Sequence, residues 1–451
     1  MTTPVLTTEP PGRLHGTLRP RHLTMLAMGG VIGSGLFVGS GAGIALAGPG
    51  IVLSFAAAGV LTMLVMRMMA EMTAAFPSSG SFSAHAERAF GPWAGFTIGW
   101  LYWATLVVVL AVEATAAAVI VHGWLPAVPQ WLLMLTFMAV FTAVNLTAVG
   151  NFGEFEFWFA LIKVVAIVGF LVLGLLAILG VLPGGGSGAA AGSGGLLPHG
   201  WNGVVAGFVA AIPAFGGLEV VTIAAAESAN PARAAAQAVR SAVWRISVFY
   251  IGSMIVVVSL LPWSDSRLGA SPFVAVLDEI GVPAAGQIMN VIVVIALLSA
   301  LNANTYAAAR MVFSLAQRGQ APPSLSRLSR TGVPYPAVLA STSFGFVGVV
   351  LNLLWPRTIF LHLLNAVGAV LLLVWVLVAC SQLRLRRDLP ADTGVRMWGH
   401  PHLSRITLGV IGLLLVSMFV DPDTRVQMIS SAVLASLVLS VALVRSRRAP
   451  A

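Results

Sequence analysis

Twelve long apolar stretches constrain this chain more than any other feature of its sequence. A membrane-spanning helix needs about 20 consecutive, mainly apolar residues, and twelve segments meet that requirement. Charged residues occupy only 9% of positions, against roughly a quarter in a soluble domain. The sequence therefore predicts an all-α membrane protein with twelve transmembrane helices. The predicted spans comprise residues 24–46, 50–72, 93–121, 131–149, 157–181, 203–227, 241–261, 285–313, 336–355, 359–382, 403–420 and 426–444.

The basic residues are distributed unevenly along the chain. The net charge is +9, which in a soluble protein would favour a nucleic-acid partner. If the N-terminus is cytoplasmic, 20 arginines fall on the inner side and only Arg267, Arg357 and Arg425 on the outer side. The positive-inside rule then predicts a multi-pass protein of the bacterial plasma (inner) membrane with both termini in the cytoplasm. This placement excludes a nucleic-acid partner.

Composition divides the chain into segments, none of them a soluble domain. The first 20 residues lack an apolar core, which predicts a disordered cytoplasmic tail and no signal peptide. A Gly/Ser/Ala-rich stretch predicts a flexible extracellular loop between two halves. The predicted units are the tail 1–20, a first repeat of spans 1–5 at 21–182, the loop 183–201, a second repeat of spans 6–10 at 202–383, spans 11 and 12 at 384–444, and a basic cytoplasmic tail at 445–451.

Two predicted spans contain helix-breaking residues in their interiors. The first span carries four glycines within residues 29–35, and the sixth carries Pro213, Gly216 and Gly217. A break frees backbone groups that lipid cannot satisfy, so it must face protein or a water-filled cavity. Breaks in the first helix of each half indicate a 5+5 inverted-repeat transporter with a site at the membrane midplane. The alternative is that the small residues only allow close helix packing.

Three ionisable side chains lie deep within predicted spans, where an unpaired charge is expensive. Lys163 is the only lysine of the chain, and a lysine, unlike an arginine, can release its proton when desolvated. Lys163 is thus a candidate proton carrier, or else a lysine that snorkels to the cytoplasmic surface. Glu113 and Glu219 are equally compatible with a proton relay and with structural pairing. Arg67 and Glu71 are predicted to form an i,i+4 ion pair at the inner surface.

The two breaks offer complementary groups for a zwitterion. Free N–H groups at the start of a half-helix near Leu36 would bind a carboxylate, and freed carbonyls of the second break would bind an ammonium. Phe215 is either a gate over the substrate or a packing residue, and the polar cluster of the eighth span either lines the pocket or bridges helices. The candidate substrate-binding residues are Ile32, Gly33, Ser34, Gly35, Ala214, Phe215, Gly216, Gly217, Ser299 and Asn302.

At these residues the sequence resembles the bacterial amino acid permeases of the amino acid-polyamine-organocation superfamily, and most of all their 4-aminobutyrate (GABA) permeases. The resemblance covers nearly the whole chain. The segments that carry it are RHLTMLAMGGVIGSGLFVGS at 21–40, GSFSAHAERAFGPWAGFTIG at 80–99 with WLYW at 100–103, GEFEFWFALIKVVAI at 153–167, VVTIAAAESANP at 220–231, VWRISVFYIGSM at 243–254 and ARMVFSLAQRGQAP at 309–322.

The resemblance implies a twelve-helix inverted-repeat fold with substrate between spans 1, 3, 6 and 8. It implies that Gly33–Gly35 binds the substrate carboxylate and that Phe215–Gly217 binds the amine. It also implies that Lys163 takes the place that a sodium ion has in sodium-driven relatives, which favours proton coupling. The motif GEFEFW favours the GABA branch.

These observations predict a proton-coupled importer of a small amino acid, GABA foremost, with another neutral or aromatic amino acid as the alternative. Protonated Lys163 would accompany substrate, and rocking of spans 1, 2, 6 and 7 would expose the site inward. The predicted partners are substrate, protons and lipid; no cofactor, metal or enzymatic activity is expected, and the proton gradient is the driving force. An exchange mode and the oligomeric state stay open. A channel, a sensor or a membrane hydrolase is disfavoured because no filter, output domain or hydrolase motif is present.

Overall fold

The computed structural model describes residues 25, 32–78, 80–147, 149–182, 195–219, 233, 236–237, 239, 245–355, 359–389 and 395–448. These residues contain helices and no strand, so the all-α prediction is confirmed. The helices are α1 Ser34–Phe37, α2 Gly39–Ala47, α3 Ile51–Ala75, α4 Ser81–Phe90, α5 Pro92–Trp124, α6 Gln130–Asn145, α7 Val149–Ile178, α8 Gly200–Phe215, α9 Gly252–Leu260, α10 Pro272–Ile280, α11 Ala285–Gln317, α12 Tyr335–Leu354, α13 Ile359–Leu385, α14 His402–Val420 and α15 Pro422–Arg448. A π-helical turn, Arg245–Ile251, leads into α9.

Most of the helices overlap the predicted apolar stretches, but α4 and α10 lie outside all of them. Among the described residues, eight helical segments are long and apolar enough to cross a membrane, and three shorter apolar helices accompany them. The two longest predicted spans correspond to α5 and α11, each of 33 residues. The predicted tail 1–20 and most of the predicted loop 183–201 lie outside the described residues, as does the segment 220–231 that carries part of the resemblance.

The core is formed where α11 packs along α5 and where α2 packs along α8. Small residues make these contacts close. A Cβ on Gly348 of α12 would lie 2.5 Å from the Cβ of Ala111 in α5, and one on Gly207 of α8 would lie 2.7 Å from the Cβ of Ala47 in α2. Helices α14 and α15 are far less buried, at 28% and 11% of their apolar windows. Their exposed leucines and valines therefore form a lipid-facing surface.

The predicted ion pair between Arg67 and Glu71 is wrong. Glu71 is fully buried near the end of α3 and accepts hydrogen bonds from Gln382 Nε2 of α13, at 2.7 Å, and from Nη1 of Arg386, which directly follows α13. Arg67 instead donates to the carbonyl of Arg396 at 2.6 Å. Arg67 lies one helical turn from Glu71 but does not bond it, because Arg386, at the end of α13, reaches the Glu71 carboxylate. This cluster joins α3 to α13.

We expect Glu71→Ala to lower the stability of the protein. The substitution leaves the Gln382 amide and the Arg386 guanidinium without their carboxylate, at a cost of about 3 kcal/mol. The apparent melting temperature of the detergent-solubilised protein should fall by roughly 5 °C. Glu87→Ala is the matched control, since Glu87 is paired with Arg318 but is 28% exposed, and it should shift the midpoint less. Equal shifts would contradict the role given to burial.

Candidate functional site

The first helix break is closed by an acidic side chain from another helix. Ile32 and Gly33 are not helical, and α1 begins at Ser34. The backbone N–H of Ser34 donates to Glu113 Oε2 at 3.0 Å, and the Ser34 hydroxyl donates to Glu113 Oε1 at 2.9 Å. Glu113 comes from α5 and is buried. A protein carboxylate therefore occupies the place that the sequence predicts for the substrate carboxylate.

The second break lies where α8 ends. Helical geometry stops at Phe215 and resumes at Leu218, and Gly217 has a φ of 91°, a conformation that a side chain would strain. The N–H of Gly217 donates to Glu219 Oε2 at 2.8 Å. The other oxygen of Glu219 accepts from Trp375 Nε1 of α13, also at 2.8 Å. Glu219 thus caps this break as Glu113 caps the first one.

One of the carbonyls predicted to bind the substrate amine already has a partner. The hydroxyl of Tyr250 donates to the carbonyl oxygen of Ala214 at 3.0 Å. The ring of Tyr250 stacks on that of Phe215, with centroids 4.8 Å apart, and Phe55 lies 5.9 Å from Phe215 and 6.5 Å from Tyr250. Phe215 is fully buried against these two rings and does not line the cavity described below. The gate predicted for Phe215 is therefore not supported by its position, which is that of a packing residue.

The two breaks touch each other. A Cβ on Gly35 would lie 2.5 Å from the Cα of Ala214 and 2.8 Å from its backbone nitrogen. Only glycine allows this approach, because the opposing atoms belong to the backbone and cannot rotate away. On its other side, the first break meets α11, since a Cβ on Gly33 would lie 2.9 Å from the Cβ of Ala300.

A central cavity of about 30 Å³ lies between the breaks. This volume holds roughly one water molecule, so an amino acid can enter only if the surrounding side chains move. The Tyr102 hydroxyl lines the cavity and has no hydrogen-bond partner among the described residues. The lining consists of Gly33, Ser34, Gly35, Tyr102, Thr105, Leu106, Val109, Val112, Glu113, Pro213, Ala214, Gly216, Gly217, Asn304, Leu364, Val367 and Leu371.

A second cavity, of about 1140 Å³, lies one helical turn further along α5 and α13. It opens at the loop that carries Arg267, whose guanidinium bonds Asp265 at 2.7 Å and Glu279 at 2.8 Å. Hydrogen bonds from Arg267 lower the pKa of Asp265, so the mouth of this cavity keeps its charges at neutral pH. Along α13, the turn from Phe360 to Leu364 separates the two cavities, since Phe360 lines the outer one and Leu364 the central one.

Lys163 lies in a separate buried cluster. Its side chain is fully buried, which contradicts the snorkelling interpretation, and its Nζ is 3.9 Å from Glu156 Oε1. Ser299 of α11 donates to the same oxygen at 2.8 Å. Asn302 accepts a hydrogen bond from Asn145 Nδ2 at 2.8 Å. Ser299 and Asn302, predicted as substrate-binding residues, thus surround Glu156 and do not line the central cavity.

Sequence reasoning overlooked several residues of the site. Glu156 is buried although it lies near the start of α7, where the sequence alone suggests a group at the membrane surface. Its spacing of seven residues from Lys163, two helical turns on one face, was the available signal. Arg245 was counted among the surface arginines but is 1% exposed. Tyr102 lines the cavity, and nothing in the polarity of the WLYW segment distinguishes it from a packing residue. Asn304, a member of the polar cluster predicted in the eighth span, also lines the cavity.

We expect Gly35→Ala to abolish transport while the protein still folds. The new methyl group must push the two breaks apart, and a misplacement of about 1 Å at a site costs on the order of a hundredfold in activity. Gly409→Ala is the matched control, because a Cβ at Gly409 of α14 meets nothing within 4 Å. The measurement is the initial rate of amino acid uptake per molecule of purified protein in liposomes. Normal uptake by Gly35→Ala would refute the close contact of the breaks.

The sequence is similar to those of a known protein family. The family model described as amino acid permease matches residues 22–449. The gamma-aminobutyric acid permease of Bacillus subtilis is 48% identical over 96% of this chain and 93% of its own length. An aromatic amino acid transport protein of Corynebacterium glutamicum is 47% identical over 92% of both chains. The gamma-aminobutyric acid permease of Escherichia coli is 44% identical over 94% of this chain and 93% of its own.

Among solved structures, a manganese transporter of Eremococcus coleocola superposes with a TM-score of 0.60. The superposition covers 96% of this chain and 95% of the transporter, at 15% sequence identity. At that identity the likeness concerns the fold alone.

Proposed function

Because the chain belongs to the amino acid permease family, we propose that it is a proton-coupled secondary transporter that carries a small amino acid, GABA foremost, into the bacterial cell. The observation that carries this proposal is the meeting of two broken helices at a small cavity beside a buried carboxylate. The protein has twelve spans, which form two inverted repeats of five helices each and two further helices. Both termini lie in the cytoplasm of a bacterial plasma membrane.

The substrate lies with its carboxylate at the start of α1 and its ammonium at the end of α8. The N–H of Ser34 and the positive end of the half-helix favour an anion. Backbone carbonyls at Phe215 and Gly216 accept hydrogen bonds from the amine, and the free hydroxyl of Tyr102 supplies a further polar contact. The aliphatic walls of the cavity suit the methylene groups of a short chain.

Glu113 links substrate binding to a proton. Its carboxylate holds the Ser34 N–H that the substrate carboxylate needs, and two carboxylates at one helix start repel each other. Substrate therefore binds when Glu113 takes up a proton and releases Ser34. Because the same event adds the substrate and the proton, the two are carried together.

Lys163 is the second ionisable group, after Glu113, that couples proton movement to transport. It lies close enough to Glu113 to interact electrostatically, so protonation of Glu113 weakens the attraction that keeps the ammonium charged. Lys163 is protonated while the protein faces outward, and both Lys163 and Glu113 lose their protons on the cytoplasmic side as substrate leaves. Glu219 stabilises the second break through Gly217 and Trp375, while the helices of spans 1, 2, 6 and 7 move together.

Alternating access begins from the larger cavity. That cavity leads from the Arg267 loop to the α13 turn at Phe360–Leu364, on the side that the arginine distribution assigns to the cell exterior. Movement of this single turn joins the two cavities and enlarges the central one. Closure of the turn over bound substrate precedes opening toward the cytoplasm, where the Glu71–Arg386 contact between α3 and α13 must loosen.

The proposal predicts that liposomes containing the purified protein accumulate labelled GABA when an inward proton gradient is imposed. A pH difference of one unit is worth about 1.4 kcal/mol per proton, so one proton per substrate supports about tenfold accumulation. Unlabelled short ω-amino acids should compete, and a protonophore should abolish accumulation. If GABA is ignored while an aromatic amino acid accumulates, the substrate is that of the Corynebacterium relative; if no amino acid responds to the gradient, proton coupling is refuted.

We expect Lys163→Ala to lose gradient-driven accumulation by about tenfold while substrate still binds. The alanine removes the only lysine and hence the proposed proton carrier. Lys163→Arg is the informative companion, because an arginine keeps the charge but does not release its proton, and it should fail in the same way. Accumulation and substrate binding are measured on the same liposome preparations. Full accumulation by either variant would exclude Lys163 from the coupling.

A further inference from the structure

Glu156 is a buried acid that has no part in the site proposed above. Its side chain is 2% exposed, and it lies on α7 two helical turns before Lys163. Helical side chains lean toward the N-terminus of their helix, so the long lysine side chain reaches back toward Glu156. The nearest approach is 3.9 Å, from Nζ to Oε1.

This contact is not built as a structural salt bridge. A buried ion pair is stable only with close geometry and with hydrogen bonds to its remaining lone pairs, and 3.9 Å exceeds hydrogen-bond distance. Oε1 is held by the hydroxyl of Ser299. Oε2 is buried and has no hydrogen-bond partner in the part of the chain that the structure describes. Glu156 therefore has one anchored oxygen and one that can accept a proton.

We propose that Glu156 is the group that receives the proton from Lys163 and passes it toward the cytoplasm. In the transfer an N–H bond of the ammonium breaks and an O–H bond forms on the Glu156 carboxylate. The lysine nitrogen keeps its electron pair, so the ammonium becomes an amine and the carboxylate becomes a carboxylic acid. This inference rests on the proposed function and specifies the proton path of the same transporter.

The charge balance favours a relay within this pair. Before the transfer the two groups carry +1 and −1, and afterwards both are neutral, so the pair has no net charge at either stage and neither group is left as an isolated buried charge. Arg245 and Glu113 also act electrostatically on Lys163.

The position of Glu156 determines the direction of proton transfer. Lys163 is the deeper of the two groups, and Glu156 lies nearer the start of α7, the end that the arginine distribution assigns to the cytoplasm. Asn145, near the end of α6, bonds Asn302 at 2.8 Å, and Asn302 lies beside the Glu156 carboxylate. A polar path therefore continues from Glu156 toward the α6 end, where water enters when the transporter opens inward.

The test compares two measurements on the same liposomes that hold the full-length protein. The first is accumulation of labelled GABA driven by an inward proton gradient, and the second is GABA counterflow without a gradient, which requires no net proton movement. If the competition panel identifies another amino acid, that compound is used. For Glu156→Gln the ratio of driven accumulation to counterflow should fall by about tenfold. Glu156→Asp, which keeps a titratable carboxylate, should recover part of the ratio.

Glu154→Gln is the matched control, because Glu154 precedes Glu156 by two residues on a partly exposed face of the same helix, and its ratio should equal that of the wild type. An unchanged ratio for Glu156→Gln overturns the relay, as does a parallel loss of both activities in Glu156→Gln and Glu156→Asp, which identifies a structural role. Failure of the wild type to accumulate any amino acid refutes the proposed function itself, whatever the variants do.

Discussion

A backbone interrupted inside a membrane must find its hydrogen-bond partners within the protein, and the architecture of this chain depends on that constraint. At the first break the partner is the Glu113 carboxylate, and at the second it is the Glu219 carboxylate. Tyr250 covers a freed carbonyl on the same break. Glu113 belongs to α5, and Glu219 lies two residues beyond Gly217. Other residues of α5 and α13 form much of the cavity wall. Each break is therefore stable only in the presence of helices that are distant in sequence.

Glycine and proline positions made the breaks predictable, because these residues act locally on the backbone. The partner of the first break was not predictable, since a helix far away in sequence brings Glu113, whereas Glu219 lies only two residues beyond Gly217. The same limit explains why Arg67 and Glu71 read as a pair although α13 supplies the partner of Glu71. Charges near helix ends, such as Glu156, read as surface groups because hydropathy does not reveal which helix ends are covered by other elements. Apolar stretches, in contrast, located the long helices, but not the short α4 and α10, and α7 begins at Val149 instead of 157.

One helix, α11, lies between the cavity at the two breaks and the cluster around Lys163. Successive residues of α11 face the two regions: Ala300 meets Gly33 at the first break, and Ser299 bonds Glu156 in the lysine cluster. A shift or rotation of α11 relative to α1 would change both regions at once. Because close-packed helices move as rigid units, a displacement at the substrate end is transmitted to the polar cluster without any flexible connection between them.

The single lysine has a practical consequence. Its ε-amine is the only side-chain amine in the 451 residues, and it is fully buried. Amine-reactive reagents attack the neutral amine and need direct access to it, so they reach Lys163 only when the protein has opened and the proton has left. The rate of modification at this one position therefore reports the fraction of time spent in an open, deprotonated state. Mass spectrometry of the modified protein can therefore measure how often this buried lysine becomes accessible, without an introduced label.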